Sequence, residues 1–327
     1  MKTRNYGIWW MMAIAGSIGI LAATDPLSKA SSQTSVQIQS NTAYSSRYGA
    51  LLSTHFTTLE DLKSITEIRY RYDPLDTIKR GQGKPGVYIT CRDGDRSVTS
   101  VLEAGISEDD FLKAKRGKLL DKIGIAMRSP FAATHLHALK CIENLGRRRP
   151  WDFGKGDVAF YDLAELMVAH ICTEDSLRIP PIDLTEKGYL NTFNHITAQA
   201  FMTSMFSEKV ADFVADVHER HNLPELITGR FSQTQLEDAA EGPVDNYVDM
   251  LNNEWGQELG LALAERYAIN SDTYWTPQIL AAYLNDIQAY YSWTLRIGFT
   301  PFRPTDETVI RFAGKINLLN DQDIVLP

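Results

Sequence analysis

The chain has 327 residues, 44% hydrophobic and 23% charged, enough to bury a sizeable core as one large domain or two ordinary ones. A formal charge of -8 argues against a general nucleic-acid binder, which needs a concentrated basic surface to neutralise phosphates. Three cysteines, Cys91, Cys141 and Cys172, allow at most one disulfide and match no metal-knuckle spacing, which excludes a disulfide-scaffolded fold.

Lys2 and Arg4 precede an uncharged apolar run from Gly7 to Ala23. A positive flank before such a run is an export pattern. Two readings stand: a cleaved signal peptide, with small residues at Ser28 and Ala30 for a peptidase, or an uncleaved membrane anchor, together covering 1–30. Residues 31–50 are rich in Ser, Gln, Thr and Asn without apolar periodicity and read as a flexible linker.

Residues 51–150 read as a small α+β region. Thr58 and Asp61 have capping-box spacing for a short helix. Val87 to Thr90, the turn "RDGD" and Ser97 to Val101 predict a β-hairpin. A helix capped by Ser107 follows, with acids at 108–110 suited to its N-terminal dipole, and then a second helix stopping at Gly146. The triplet Arg147-Arg148-Arg149 before Pro150 reads as a solvated loop.

From 151 to 327 the apolar spacing is helical almost throughout. Segments carrying "FNHITAQAF", "VADVHERHN", "VDNYVDMLNNEWGQELG" and "PQILAAYLNDIQAYY" each predict a helix, the last with Pro277 in its first turn. The expected fold is therefore mainly α: a helical C-terminal domain with a small α+β N-terminal part.

The segment "HERHN" invites a zinc-protease reading, and the spacing rejects it. That motif needs histidines at i and i+4, whereas His218 and His221 are three apart and position 222 is Asn222. His221 reads as a surface residue near a helix C-terminus. His218 keeps interest because Asp216 and Glu219 flank it, while Asn194 and His195 sit one helix earlier.

One helix later, Asp245, Asp249, Asn252, Asn253 and Gly256 form a polar stripe opposite the apolar stripe Val244, Val248, Leu251, Trp255 and Leu259. Asp and Asn are poor helix-interior residues, and four of them cost roughly 2 kcal/mol relative to alanine. A local conflict of this size points to a functional site or to helices cross-linked by buried hydrogen bonds.

The ordered set Asn194-His195, "ADVHE" at 215–219 and "DMLNNEWG" at 249–256 resembles a bacterial domain family of uncharacterised function found in secreted and toxin-associated proteins. Its pattern runs (Arg/Asn)-His, Ala-Asp-x-His-Glu, Asp-x-x-Asn-Asn-x-x-Gly. The resemblance covers about 65 residues and implies a shared site, with no settled activity; Leu251 stands where the family often has a histidine.

His195, His218, Asp216, Glu219 and Asp249 are the candidate catalytic residues, with Asn194, Asn252 and Asn253 as substrate or structural support. A divalent metal, held by His195, His218 and Asp249, is the candidate cofactor, since a His/carboxylate set suits such an ion. Without a metal, His195 or His218 is the candidate base, oriented by Asp216 or Asp249. The expectation is an exported, periplasmic or secreted hydrolase-like protein acting on a cell-envelope component or small substrate, an inner-membrane anchor being the alternative location. Neither nucleic acid nor membrane beyond the N-terminal segment is an expected partner. The competing expectation is a non-enzymatic binding or assembly protein whose His/Asp/Asn cluster is structural.

Overall fold

The computed structural model describes residues 48–71, 84–94, 96–228, 230–231, 233 and 242–321. The expected signal or anchor and the linker up to residue 47 lie outside the described residues. Among the described residues, no helix is long and apolar enough to cross a membrane.

Helix α1 (Leu59–Lys63) starts as its capping box predicts. The Asp61 N–H donates to Thr58 Oγ1 at 3.1 Å and the Thr58 N–H to Asp61 Oδ2 at 2.9 Å. Three antiparallel strands follow in the order β1 (Thr66–Arg71), β2 (Gly86–Asp93), β3 (Arg96–Glu103). The β2–β3 hairpin is the expected one, turning tightly at Gly94, whose φ of 60° is the left-handed conformation glycine adopts freely. Strand β1 lacks an apolar run, but Ile68 and Tyr70 alternate with exposed Glu67 and Arg69, the period-2 pattern of a half-covered edge.

The single helix expected after Ser107 is two. α2 (Glu108–Arg116) ends at the extended Gly117, and α3 (Leu119–Arg128) begins where Asp121 accepts the Lys118 N–H at 2.7 Å. The next expected helix also divides, into α4 (Pro130–Thr134) and α5 (Leu136–Leu145), with Gly146 donating to Ile142 O at the stop. Then come α6 (Pro150–Phe153), α7 (Phe160–Ala169), α8 (Thr173–Ser176), α9 (Tyr189–Met205), α10 (Glu208–Asn222), α11 (Glu225–Thr228), α12 (Pro243–Tyr267), α13 (Pro277–Leu295) and α14 (Glu307–Asn320). The expected mainly α fold with a small N-terminal sheet is what the structure shows.

Two cores meet at α12. One side of this helix packs on the sheet, where Tyr247, Val248, Leu251 and Trp255 bury Val87, Ile89, Val98 and Leu102. The other side packs on α9, the most extensive helix pair. Behind it lies the larger core, which draws on Ala50, Phe111 and Leu139 as well as Phe160, Phe201, Trp275, Tyr283 and Phe312. The polar stripe of α12 is therefore interior: Asp249, Asn252 and Asn253 are all buried.

Gly256 and Gly260 set how closely α9 and α12 approach. A Cβ at Gly256 would stand 2.7 Å from Gln199 Cβ and 2.8 Å from Ile196 O; at Gly260 it would stand 2.6 Å from Ala200 O. Backbone thus meets backbone with nothing between. Side chains pair across this contact at a constant offset, Asn191 with Asp249, His195 with Asn253 and Gln199 with Gln257, so the two helices run parallel. α10 returns alongside and packs on both, its C-terminal carbonyl at Asn222 accepting from Asn246 Nδ2 at 3.1 Å near the start of α12.

Candidate functional site

The α9–α12 contact is a ladder of amides and ionisable groups one helical turn apart. Asn191 Nδ2 donates to Asp249 Oδ1 at 2.7 Å. His195 Nδ1 lies 2.9 Å from Asn253 Oδ1, and its Nε2 lies 3.4 Å from Asp249 Oδ2. Gln257 Nε2 donates to Gln199 Oε1 at 3.3 Å. From α10, Glu219 joins the middle rung by accepting from Asn253 Nδ2 at 3.2 Å. One ligand atom each from His195, Glu219 and Asp249 fits within 4.8 Å of the others, and all three residues are buried.

Asn253 settles the state of His195. Its NH2 is spent on the Glu219 carboxylate, so its carbonyl faces His195 and accepts the Nδ1 proton. Nε2 is then the ring nitrogen with the free lone pair, aimed toward Asp249. A histidine oriented by a hydrogen bond at one nitrogen, with the other bare among carboxylates, is how proteins present imidazole to a metal.

Burial dominates the electrostatics. It pushes His195 down to about 4, helped by the neighbouring charge of His218, so the ring is neutral at neutral pH. It pushes Glu219 up to about 7 and Asp249 well above the ordinary carboxylate range, Asp245 adding repulsion to both. On His218 burial works against the charged form, but the hydrogen bond it donates to Glu108 and the charges of Glu219 and Glu108 outweigh it, and the pKa is raised. The site is a neutral imidazole and a protonatable carboxyl pair beside a histidine biased toward its cation.

These shifts set a pH dependence. A carboxyl whose folded pKa exceeds its unfolded value binds its proton more tightly in the folded state, so stability falls as pH rises through that interval. Glu219, Asp249, Asp216 at about 7 and Glu254 at about 8 all act in this sense. So does His218, whose raised value favours the folded cation below it. His195 opposes them only below 6.5, where the unfolded ring takes up a proton. Between pH 6.5 and about 8 the melting temperature of chelator-treated protein falls as pH rises; calorimetry showing a flat or rising trend would contradict the buried carboxylates.

A cavity touches the ladder on the α10 side, lined by Asn194, His195, His218 and Asn253 and walled by Ala198, Met202, Val214 and Ala215. It offers about 20 Å³ to water-sized spheres, room for one water. Asn194 is buried there, and its Oδ1 has no hydrogen-bond partner. A buried acceptor left bare costs about 1–3 kcal/mol unless a water or ion fills the gap.

Of the residues expected at the site, His195, Glu219, Asp249 and Asn253 converge, with His218 and Asn194 beside the cavity. The expected metal set of His195, His218 and Asp249 is not the tight one: Glu219 takes the place of His218, whose ring centroid is 6.3 Å from that of His195. His218 turns instead to Glu108 on α2, its Nδ1 3.3 Å from Oε2.

Asp216 is not part of the cluster. Its carboxylate pairs with Arg220, which also donates to Glu103 O and Ile106 O and so staples α10 to the end of β3. Asn252 is structural, accepting from the Leu51 N–H and donating to Leu51 O, both at 2.9 Å, while Thr192 donates to the same oxygen. Asn252→Ala strands the Leu51 N–H, while Thr192 still donates to Leu51 O, and costs about 1–3 kcal/mol, measured by urea denaturation. Leu251 is fully buried against the sheet, so a histidine at that position would not face His195. His221 is exposed and pairs with Asp109 at 3.1 Å.

Glu108 and Asn191 were not expected. Asn191 had a signal, since it sits one helical turn before His195 on the same face. Glu108 had none, because it comes from 110 residues away.

Comparison of the chain with family models, curated proteins and solved structures found no match.

Proposed function

We propose that the His195–Glu219–Asp249 cluster holds a divalent metal ion of the zinc class and that the protein is an exported, metal-assisted hydrolase of a cell-envelope component or small substrate. The observation that supports it most is the convergence of a His195 ring nitrogen and two carboxylates within 4.8 Å, with His195 also lining a cavity for one water. Nitrogen and carboxylate oxygen at that spacing suit such an ion, and Asn253 and Asn191 already orient the ligands. A cation there would offset the desolvation of the buried carboxyls and act as a Lewis acid.

The chain's own groups divide the remaining work. Glu219 and Asp249 would hold the ion as anionic ligands, with Asn253 Nδ2 fixing the Glu219 carboxylate from behind. His218, biased toward its cation and lining the cavity, returns a proton to the leaving group. The ordered motifs around 194–195, 215–219 and 249–256 and the export pattern at the N-terminus agree with this reading.

Elemental analysis of protein purified without chelator should find about one zinc-class ion per chain. Hydrolysis of ester, phosphoester or peptide-bond probes should stop with chelator and return with metal. A competing structural reading has support in the rungs Asn191–Asp249 and Gln199–Gln257, which are already paired. Metal-free protein, with His195→Ala and Glu219→Gln both as active as the parent, would establish that alternative.

A further inference from the structure

We propose that helix α3 and the 147–155 loop together form a docking surface for an anionic phospholipid bilayer, separate from any attachment through the N-terminal segment. This does not rest on the proposed hydrolase activity.

Helix α3 packs on α2 and α4 yet turns a row of apolar side chains outward. Leu120 is 78% exposed, Met127 77% and Ile123 between them 36%. The spacing of three and four residues puts them on one face of the helix. Trp151, at the start of the second segment, is 94% exposed. Isolated exposed hydrophobics are ordinary, but a helical row beside a bare tryptophan is a patch that an aqueous surface does not favour.

Glu143 joins the two segments. Lys115 Nζ on α2 lies 3.7 Å from Glu143 Oε1, and Arg149 Nη2 lies 2.8 Å from the same oxygen. These bridges set the C-terminal end of α2, from which α3 follows, beside the start of the 147–155 loop.

The surroundings are basic in an acidic protein. Residues 113–128 hold six Lys or Arg and one acid, and residues 147–155 hold four and one, in a chain of net charge -8. Lys113, Arg116, Lys118 and Lys155 are exposed, as are Arg128 and Arg148, which pair with Asp110 and with Asp162 and Glu165.

Chemistry selects the occupant. A soluble polyanion would satisfy the cations and leave Leu120, Met127 and Trp151 in water. An apolar protein groove would cover those three without accounting for the density of cations. An anionic leaflet supplies both phases within the 5–10 Å that an interfacial helix penetrates, and tryptophan prefers that boundary. The Arg147-Arg148-Arg149 run, read from sequence as a solvated loop, is paired within the fold, Arg147 and Arg149 with Glu143 and Arg148 with Asp162 and Glu165, so the lipid-facing charge rests on the lysines around α3.

The test places a nitroxide at Met127→Cys in the full-length chain with Cys172→Ser, the other two cysteines being buried. Collision rates with oxygen and with a water-soluble nickel chelate are measured with vesicles containing phosphatidylglycerol and with pure phosphatidylcholine. Because the readout is local to α3, attachment through the N-terminal run does not mimic it. The expected result is immersion of the label only on the anionic vesicles. Lys113→Gln, Lys118→Gln and Lys122→Gln together should lower the immersed-to-aqueous ratio roughly a hundredfold, at about fivefold per charge. Three results would overturn the proposal: a label as open to nickel with anionic vesicles as without, equal immersion on phosphatidylcholine, or protection in the absence of lipid.

Discussion

Asp249→Asn should abolish metal binding and hydrolysis while leaving the metal-free fold as stable as the parent at neutral pH, or more so. The geometry makes this substitution unusually clean. Asparagine Oδ1 can accept from Asn191 Nδ2 as Asp249 Oδ1 does, and its NH2 can donate to the bare Nε2 of His195. No hydrogen bond is lost, and a carboxyl that burial holds well above its ordinary range is replaced by a neutral amide. Loss of an anionic ligand should weaken divalent-metal affinity by more than about 100-fold, since even supporting residues around metal ligands cost 10–100-fold. Glu219→Gln should behave in the same direction. Both variants should also flatten the fall in stability between pH 6.5 and about 8. Isothermal titration with zinc and calorimetry of stripped protein read the two effects separately. If Asp249→Asn melts several degrees lower while keeping metal and activity, the cluster is a structural pin and the catalytic reading fails.

Gly256→Ala should destabilise the protein by about 3 kcal/mol and Gly256→Val by more. The added Cβ at Gly256 would meet Ile196 O at 2.8 Å and Ile196 Cα at 3.0 Å, backbone atoms of α9 that no rotamer change can move. The helices must separate, and alanine's better helix propensity recovers only about 1 kcal/mol of the cost. Separation also lengthens the rungs at His195–Asn253 and Asn191–Asp249, so the surviving folded protein should bind metal more weakly. Urea denaturation and zinc titration check both parts. A Gly256→Ala protein within about 0.5 kcal/mol of the parent, with full metal affinity, would mean the close approach is not what holds the site.

Much of the molecule was legible along the chain. Helices α9, α10, α12 and α13 were readable because their apolar spacing and, for α13, first-turn Pro277 are local signals that survive folding. The hairpin was readable from its turn. The breaks at Gly117 and His135 were missed because the flanking segments keep helical spacing, and only an extended glycine with a second cap at Asp121 shows the division.

At the site, periodicity revealed that Asp249 and Asn253 share a face, and residue type revealed His195 and the 216–219 cluster as unusual. It did not separate Asp216 from Glu219, because both sit on α10 three residues apart. That choice belongs to Arg220, which claims Asp216 for the end of β3, and to Asn253, which claims Glu219 for the ladder. Nor did it show that the polar stripe of α12 faces another helix, since a stripe on one helix has the same period whether water or protein lies against it.

By itself, then, the sequence determined the helical periods, the caps and which residues are chemically unusual. The tertiary structure alone decided the register, pairing Asn191, His195 and Gln199 with Asp249, Asn253 and Gln257. The physical reason is that register is a property of two helices at once, set by how closely Gly256 and Gly260 let the backbone of α12 approach that of α9.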